Sequence, residues 1–271
     1  MTTASGRPGT AGAPRAADPA DRTAEVSWFD TRQSTLSRSD LAEMDAREKA
    51  RAAAFVFPAD RHRYQVAHVM LRRVLAGHLG TDPSRLNFGR QRCPTCGGVS
   101  GKPVLAGVSA WEDDPEPLRG VDGARPGLSF SLAHSGEAVA IAVARVPVGI
   151  DVERDATGCV CSLASAMHPD DAAIVEVLPE PERHLAVIRW WVRAEAVLKC
   201  AGTGIAHGMD AFPVLGAPVR SRPRLPLEPE VPGWAAAAGC SFAALSAPKG
   251  YQAALALPGL RMIRYRWGPD R

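Results

Sequence analysis

One segment of this 271-residue chain admits few structures. From about Pro181 to Cys200, Val187, Trp191, Ala194 and Leu198 recur at helical spacing and predict a single apolar stripe. Gly202 and Gly204 lie just beyond it, where glycine can end a helix. A helix of that length has to lay its stripe on another element. The candidates for that surface are short strands. Phe130-Ser131-Leu132, a break at His134-Ser135-Gly136, and Val139 to Val143 predict a hairpin. Val148 to Val152 predicts a further strand. Cys240 to Leu245 and Tyr251 to Leu257 predict a last pair around Pro248-Lys249-Gly250. Upstream, residues 38–56 read as a helix started by Ser39 or Asp40, and Ala59 to Leu79 as a second. The second should pack through Tyr64, Ala67, Met70, Leu71, Val74 and Leu75. Arg61, Arg63, Arg72 and Arg73 interrupt that face, and solvent exposure is the default expectation for each. Helices with short antiparallel strands make the fold class α+β.

The remainder of the chain bounds the problem. Residues 1–24 hold Ala, Gly, Pro, Arg and Asp with almost no large apolar side chains, which predicts a disordered tail. Residues 111–127 read as a loop, 168–183 as a short acidic helix or turn, and 211–236 as proline-rich and irregular. No apolar run reaches the roughly 20 residues that span a bilayer, and no apolar signal core opens the chain, so a cytosolic protein is expected. A formal charge of +3 does not identify a nucleic-acid binder, which needs a clustered basic footprint.

Four strings carry chemistry. In Gly149-Ile150-Asp151-Val152-Glu153-Arg154, a strand would point Asp151 and Glu153 to one face. Adjacent carboxylates are costly without protons or a cation between them, and a hard divalent ion is a direct solution. The plainer reading is a solvated strand end. In Trp191 to Lys199, Glu195 and Lys199 lie one helical turn apart, either as a surface ion pair or as a carboxylate beside a phosphate-binding ammonium. Phe130 to Gly136 sets His134 at a strand-to-turn junction, as a turn residue or a phosphate donor. Ser100-Gly101-Lys102-Pro103 can aim Lys102 at an anion, although such turns are common.

Taken together and in order, these strings resemble the 4′-phosphopantetheinyl transferases of the surfactin-synthetase-activating type. The resemblance runs from about Ser39 to Leu257 and rests on Gly101-Lys102-Pro103, Phe130 to Ser135, Gly149 to Glu153, and Trp191 to Lys199 followed by Gly202-Thr203-Gly204. It implies two similar α+β lobes related by a pseudo-twofold, assigned to residues 25–145 and to residues 146–271 with their tail. It implies Mg²⁺ and coenzyme A, and transfer of the 4′-phosphopantetheine arm to a serine of an acyl, peptidyl or aryl carrier protein. Asp151 and Glu195 would hold the metal, with Glu153 binding it directly or through water, and Lys199 would contact the diphosphate. Glu195 is the first candidate for activating the serine, with Glu153 and a metal-bound water as the alternatives. Lys102, His134, Arg63, Arg47 and Arg51 would hold the nucleotide and its phosphates. A monomer without nucleic-acid or membrane partners is expected.

Two positions depart from the family pattern: Ala194 stands where many relatives have lysine, and Ala133 where many have serine. Ala194 keeps a noncatalytic carrier-protein and coenzyme A binding protein in view. A serine hydrolase using Ser131 or Ser135 beside His134 lacks the Gly-x-Ser-x-Gly turn, and a nicotinamide enzyme lacks its glycine fingerprint. Of the six cysteines, Cys93 and Cys96 have the spacing of half a zinc knuckle, which Cys159 and Cys161 would complete as a structural zinc site. Turn or surface cysteines are the plainer reading.

Overall fold

In the computed structural model the long C-terminal helix finds its surface on a three-stranded sheet. Residues 22–93, 97–98, 101–106, 128–155, 161–216 and 240–267 are described. In chain order the elements are β1 (Thr23–Asp30), α1 (Arg38–Ala42), α2 (Ala46–Ala53), α3 (Pro58–Leu79), β2 (Phe88–Arg90), β3 (Pro103–Leu105), β4 (Ser129–Ser135), β5 (Ala138–Ala144), β6 (Gly149–Arg154), α4 (Pro169–Glu176), α5 (Glu180–Ala201), β7 (Cys240–Ala244), β8 (Tyr251–Pro258) and β9 (Met262–Trp267). One sheet has the order β4-β5-β1-β9, another β6-β8-β7, and β2 pairs with β3. This is a mixed α/β fold.

Period-2 alternation assigns the two faces of each central strand. On β5, Val139, Ile141 and Val143 pack with Ala67, Leu71 and Leu75 of α3. The intervening Ala138, Ala140, Ala142 and Ala144 turn toward Ile150, Val152, Leu255 and Leu257 of the other sheet. Beyond that sheet, Ala254 and Ala256 of β8 and Phe242 of β7 meet Val187, Trp190, Ala194, Val197 and Leu198 of α5. The layers are therefore α3, sheet, sheet, α5. The sheets join where β4 runs beside β6. Ser131 Oγ accepts from the Ile150 amide at 3.1 Å and Ser135 Oγ from the Arg154 amide at 3.1 Å. Ala133 lies between these serines and is buried in the inter-sheet core.

Several expectations need correction. The helix expected over 38–56 is two helices. Ser37 caps α1 in a reciprocal box with Asp40, and Asp45 caps α2 in another with Glu48. Two capping boxes satisfy amides that a continuous helix would not have left open. Order begins before the expected end of the tail, since β1 starts at Thr23. The last strand lies in the segment assigned to the C-terminal lobe, yet β9 pairs in parallel with β1 of the first sheet. Parallel pairing puts no turn signal between the strands, so nothing local announces it. Residues 111–127 and most of 211–236 lie outside the described residues.

The close fit of α5 on β6 is set by Gly149. A Cβ there would stand 1.9 Å from the Ala196 carbonyl oxygen and 2.4 Å from the Cys200 amide nitrogen. Both are backbone atoms of a buried helix and cannot move aside cheaply. Gly149→Ala is therefore expected to lower stability by about 3 kcal/mol, an overpacking cost. Chemical denaturation checks it, and an unchanged midpoint would mean that α5 does not sit this close.

Candidate active site

In β6 the side chains alternate: Ile150 and Val152 enter the inter-sheet core, which turns Gly149, Asp151 and Glu153 toward α5. On α5, Glu195 and Lys199 fall one turn apart. The glycine contact brings β6 and this turn together. Lys199 Nζ donates to Asp151 Oδ1 at 2.6 Å. Asp151 is 5% exposed, and its Oδ2 is buried without a hydrogen-bond partner. Glu153 is held from the β4 side, where Ser135 Oγ donates to its Oε2 at 2.7 Å. The sequence reading missed the roles of Ser131 and Ser135, although both lie in the quoted motif. The alternation of small polar residues at 131 and 135 was the available signal.

The electrostatics follow from burial. Desolvation pushes the Asp151 carboxyl up to about 7, with Lys199 opposing and Glu195 and Glu153 adding to the rise. Burial likewise raises Glu195, opposed by Lys199 and reinforced by Glu153. A carboxyl whose folded pKa is raised binds its proton more tightly in the folded state. Its stability contribution is complete below the unfolded value near 3.8 and is lost as pH rises through about 7. In chelator-treated protein, stability should fall by roughly 2–4 kcal/mol across that window. Asp151→Asn should flatten the slope in pH-dependent denaturation, and a slope unchanged in that variant would assign it to other groups.

Beside this acidic group opens a cavity of about 920 Å³. Arg47, Arg51, Arg90, Lys102 and Lys199 line it, together with Tyr64, Phe88 and Phe130. Its carboxylates, Asp45 and Glu48, are already engaged by Arg72, at 3.0 and 2.7 Å. Glu48 also meets His68 Nδ1 at 2.8 Å. With the acids tied back, the wall keeps a positive excess suited to a polyanion. Lys102 is aimed by two acceptors, the Val148 carbonyl at 2.6 Å and Ser129 Oγ at 3.4 Å. Desolvation pulls its pKa down.

The structure thus gathers Arg47, Arg51, Lys102 and Lys199 around one cavity and sets Asp151, Glu153 and Glu195 at its Lys199 side. It does not bring Arg63 or His134 to the lining. Arg63 donates through Nε to the Gly136 carbonyl and pairs with Asp60 at 2.8 Å. His134 ends β4; partial desolvation of its ring, with the charges of Arg63, His68 and Lys199, lowers its pKa. The sequence reading passed over His68 and Arg90. His68 sits one turn beyond Tyr64 and stacks on it at 4.0 Å between ring centres, a spacing that was visible. Arg90 is held by the Gly101 carbonyl at 3.0 Å, a contact across 11 residues that local pattern does not reveal.

The acidic group fits a hard cation in its chemistry. Its donors are all carboxylate oxygens, and the buried unpartnered Asp151 Oδ2 is an atom such an ion would satisfy. The arrangement is not closed around an ion: among the described residues no group of three or more His, Cys, Asp or Glu stands at metal-holding separation. The expected zinc centre is likewise not assembled among them. Cys93 is buried, Cys96 and Cys159 lie outside the described residues, and nothing is described of the Cys161 side chain. No helix among the described residues is long and apolar enough to cross a membrane.

Residues 147–256, which carry β6, α5 and most of β8, match the model of the 4′-phosphopantetheinyl transferase superfamily. Over 168 residues the chain is 32% identical to the 4′-phosphopantetheinyl transferase HetI of Nostoc sp., covering 61% of this chain and 62% of that protein. It is 24% identical over 174 residues to a 4′-phosphopantetheinyl transferase of Bacillus subtilis, covering 64% and 67% respectively. The match therefore spans less than two thirds of the first of these relatives. The site region and both relatives thus point to the same likeness, to the 4′-phosphopantetheinyl transferase superfamily.

Proposed function

We propose that this protein transfers the 4′-phosphopantetheine arm of coenzyme A to a serine hydroxyl of an apo acyl, peptidyl or aryl carrier protein, as the surfactin-synthetase-activating type does. The observation that carries the reading is the basic, aromatic-lined cavity opening beside the Asp151–Glu153–Glu195 group. The cations of the wall suit the phosphates of the donor, and Tyr64, Phe88 and Phe130 offer flat apolar surface to its base.

In this reading the serine oxygen bonds to the β-phosphorus of coenzyme A as the bond to the adenosine-side oxygen breaks, and adenosine 3′,5′-bisphosphate departs. The enzyme needs no nucleophile of its own. Glu195 takes the serine proton; burial, reinforced by Glu153 and opposed by Lys199, raises its proton affinity above that of an ordinary carboxylate. Lys199 stands where it can turn from Asp151 to the diphosphate and offset charge building there. Ser135 holds Glu153 in place. Asp151, Glu153 and Glu195 would hold Mg²⁺, which when bound supplies charge neutralisation at the reacting phosphates. Arg63 would contact the nucleotide only on leaving Gly136 and Asp60, and His134, which is not among the cavity's lining residues, only where the nucleotide reaches beyond that lining.

The competing reading, a noncatalytic binder of carrier protein and coenzyme A, drew on Ala194. That side chain is fully buried in the core between α5 and its sheet, so the departure touches packing and not the cavity. The two readings separate when the protein is mixed with coenzyme A, Mg²⁺ and several apo carrier proteins and intact masses are measured. A phosphopantetheine adduct that disappears with chelator is expected. Carrier association without any adduct would overturn the enzyme in favour of the binder.

A further inference from the structure

Cys200 lies in the last turn of α5 and Cys240 opens β7, and their sulfur atoms lie 2.8 Å apart across 40 residues of chain. The side chains are 2% and 0% exposed. Cys200 also reaches the Pro147 carbonyl at 3.4 Å, one residue before the Val148 carbonyl that holds Lys102. The hydrogen bond with Cys200 and burial hold the Cys240 thiol well above its usual pKa, and the nearby Lys102 charge opposes this only in part, so the closeness of the two sulfurs, not acidity, prepares the pair for coupling. Lys102 and Gly202 line the large cavity while neither cysteine does, so a small peroxide has to pass from that cavity through a local opening to reach the sulfur pair.

We propose that Cys200 and Cys240 form a redox modification site, a dithiol that a hydroperoxide converts into an intramolecular disulfide fastening the end of α5 to β7. One thiolate attacks the peroxide oxygen, the O–O bond breaks, and a sulfenic acid forms as hydroxide leaves. The second thiol attacks that sulfur, the S–O bond breaks, and the S–S bond forms. In sum two thiols and one hydrogen peroxide give one disulfide and two waters: two electrons pass from sulfur to peroxide. Closing from 2.8 Å to a bond of about 2.05 Å needs little motion, so α5 keeps its seat on Gly149. The link constrains the long loop between the two cysteines in the unfolded chain, which stabilises the folded one.

The test uses the full chain, reduced, freed of reductant and treated with hydrogen peroxide while folded. Digestion without reductant should give the peptide carrying Cys200 joined to the one carrying Cys240, lighter by two hydrogens than their sum. The melting temperature should rise by roughly 5–15 °C, and dithiothreitol should reverse the rise. Cys240→Ala should lose both responses; should that variant not fold, the peptide map of the unaltered chain decides alone. Recovery of Cys200 and Cys240 in separate peptides, or joined to other cysteines instead, would overturn the proposal. The link is read without any carrier protein, so its failure is distinct from failure of the transferase reading.

Discussion

Glu195→Gln is expected to lower carrier-protein modification by about 10²–10³-fold while leaving the fold intact. The substitution keeps the shape of the side chain and removes its capacity to take a proton. Glu195 is half-buried on α5, and burial together with Glu153 raises its proton affinity, so an amide there removes a charge that the fold holds at some cost. Stability should therefore be unchanged or slightly higher, while the adduct measured by intact mass nearly vanishes. The same residue as a surface partner of Lys199 would give a different result, near-normal transfer, and that outcome would remove Glu195 from the mechanism. Coenzyme A binding measured separately should persist, because the cavity cations are untouched.

Arg72→Met should produce the largest loss of stability, about 3–5 kcal/mol. Arg72 is fully buried. Its guanidinium donates to Glu48 at 2.7 Å, to Asp45 at 3.0 Å, and to the Pro83 and Leu86 carbonyls at 3.0 Å each. It also lies 5.0 Å from the centre of the Phe88 ring. Methionine fills much of the volume but leaves Glu48, itself 6% exposed, with His68 as its remaining side-chain partner. Set against the 5–15 kcal/mol typical of a domain, the loss is large. Denaturation midpoints measure it. Adding Glu48→Gln should recover part of the loss, since the stranded charge is then gone. The wall carrying Arg47 and Arg51 hangs on this arginine through α2, so ligand binding should weaken as well.

These two residues differ in how visible they are before folding. Glu195 sits in a string whose helical spacing shows both the apolar stripe and the carboxylate one turn from Lys199. Asp151 and Glu153 were legible for the same reason, because strand alternation alone puts them on one face. Arg72 was expected in solvent. Its acids lie 24 and 27 residues away, on α2 and at its N-cap, and no local period connects them. The break between α1 and α2 was partly legible, as both capping boxes are written in the sequence within an otherwise helical run. The parallel return of β9 was not legible, nor was the meeting of Cys200 with Cys240.

The sequence by itself determined the elements and the direction in which their side chains point, because backbone periods of 3.6 and 2 are local properties of the chain. It also determined which strings carry acid and which carry base. The tertiary structure alone decided which of those groups meet. Gly149 admits α5 closely enough for Lys199 to reach Asp151, Ser135 reaches Glu153 across the joint between sheets, and Arg72 neutralises the acids of the cavity wall. Each of these contacts depends on packing distances between segments far apart in the chain, which no short window of residues contains.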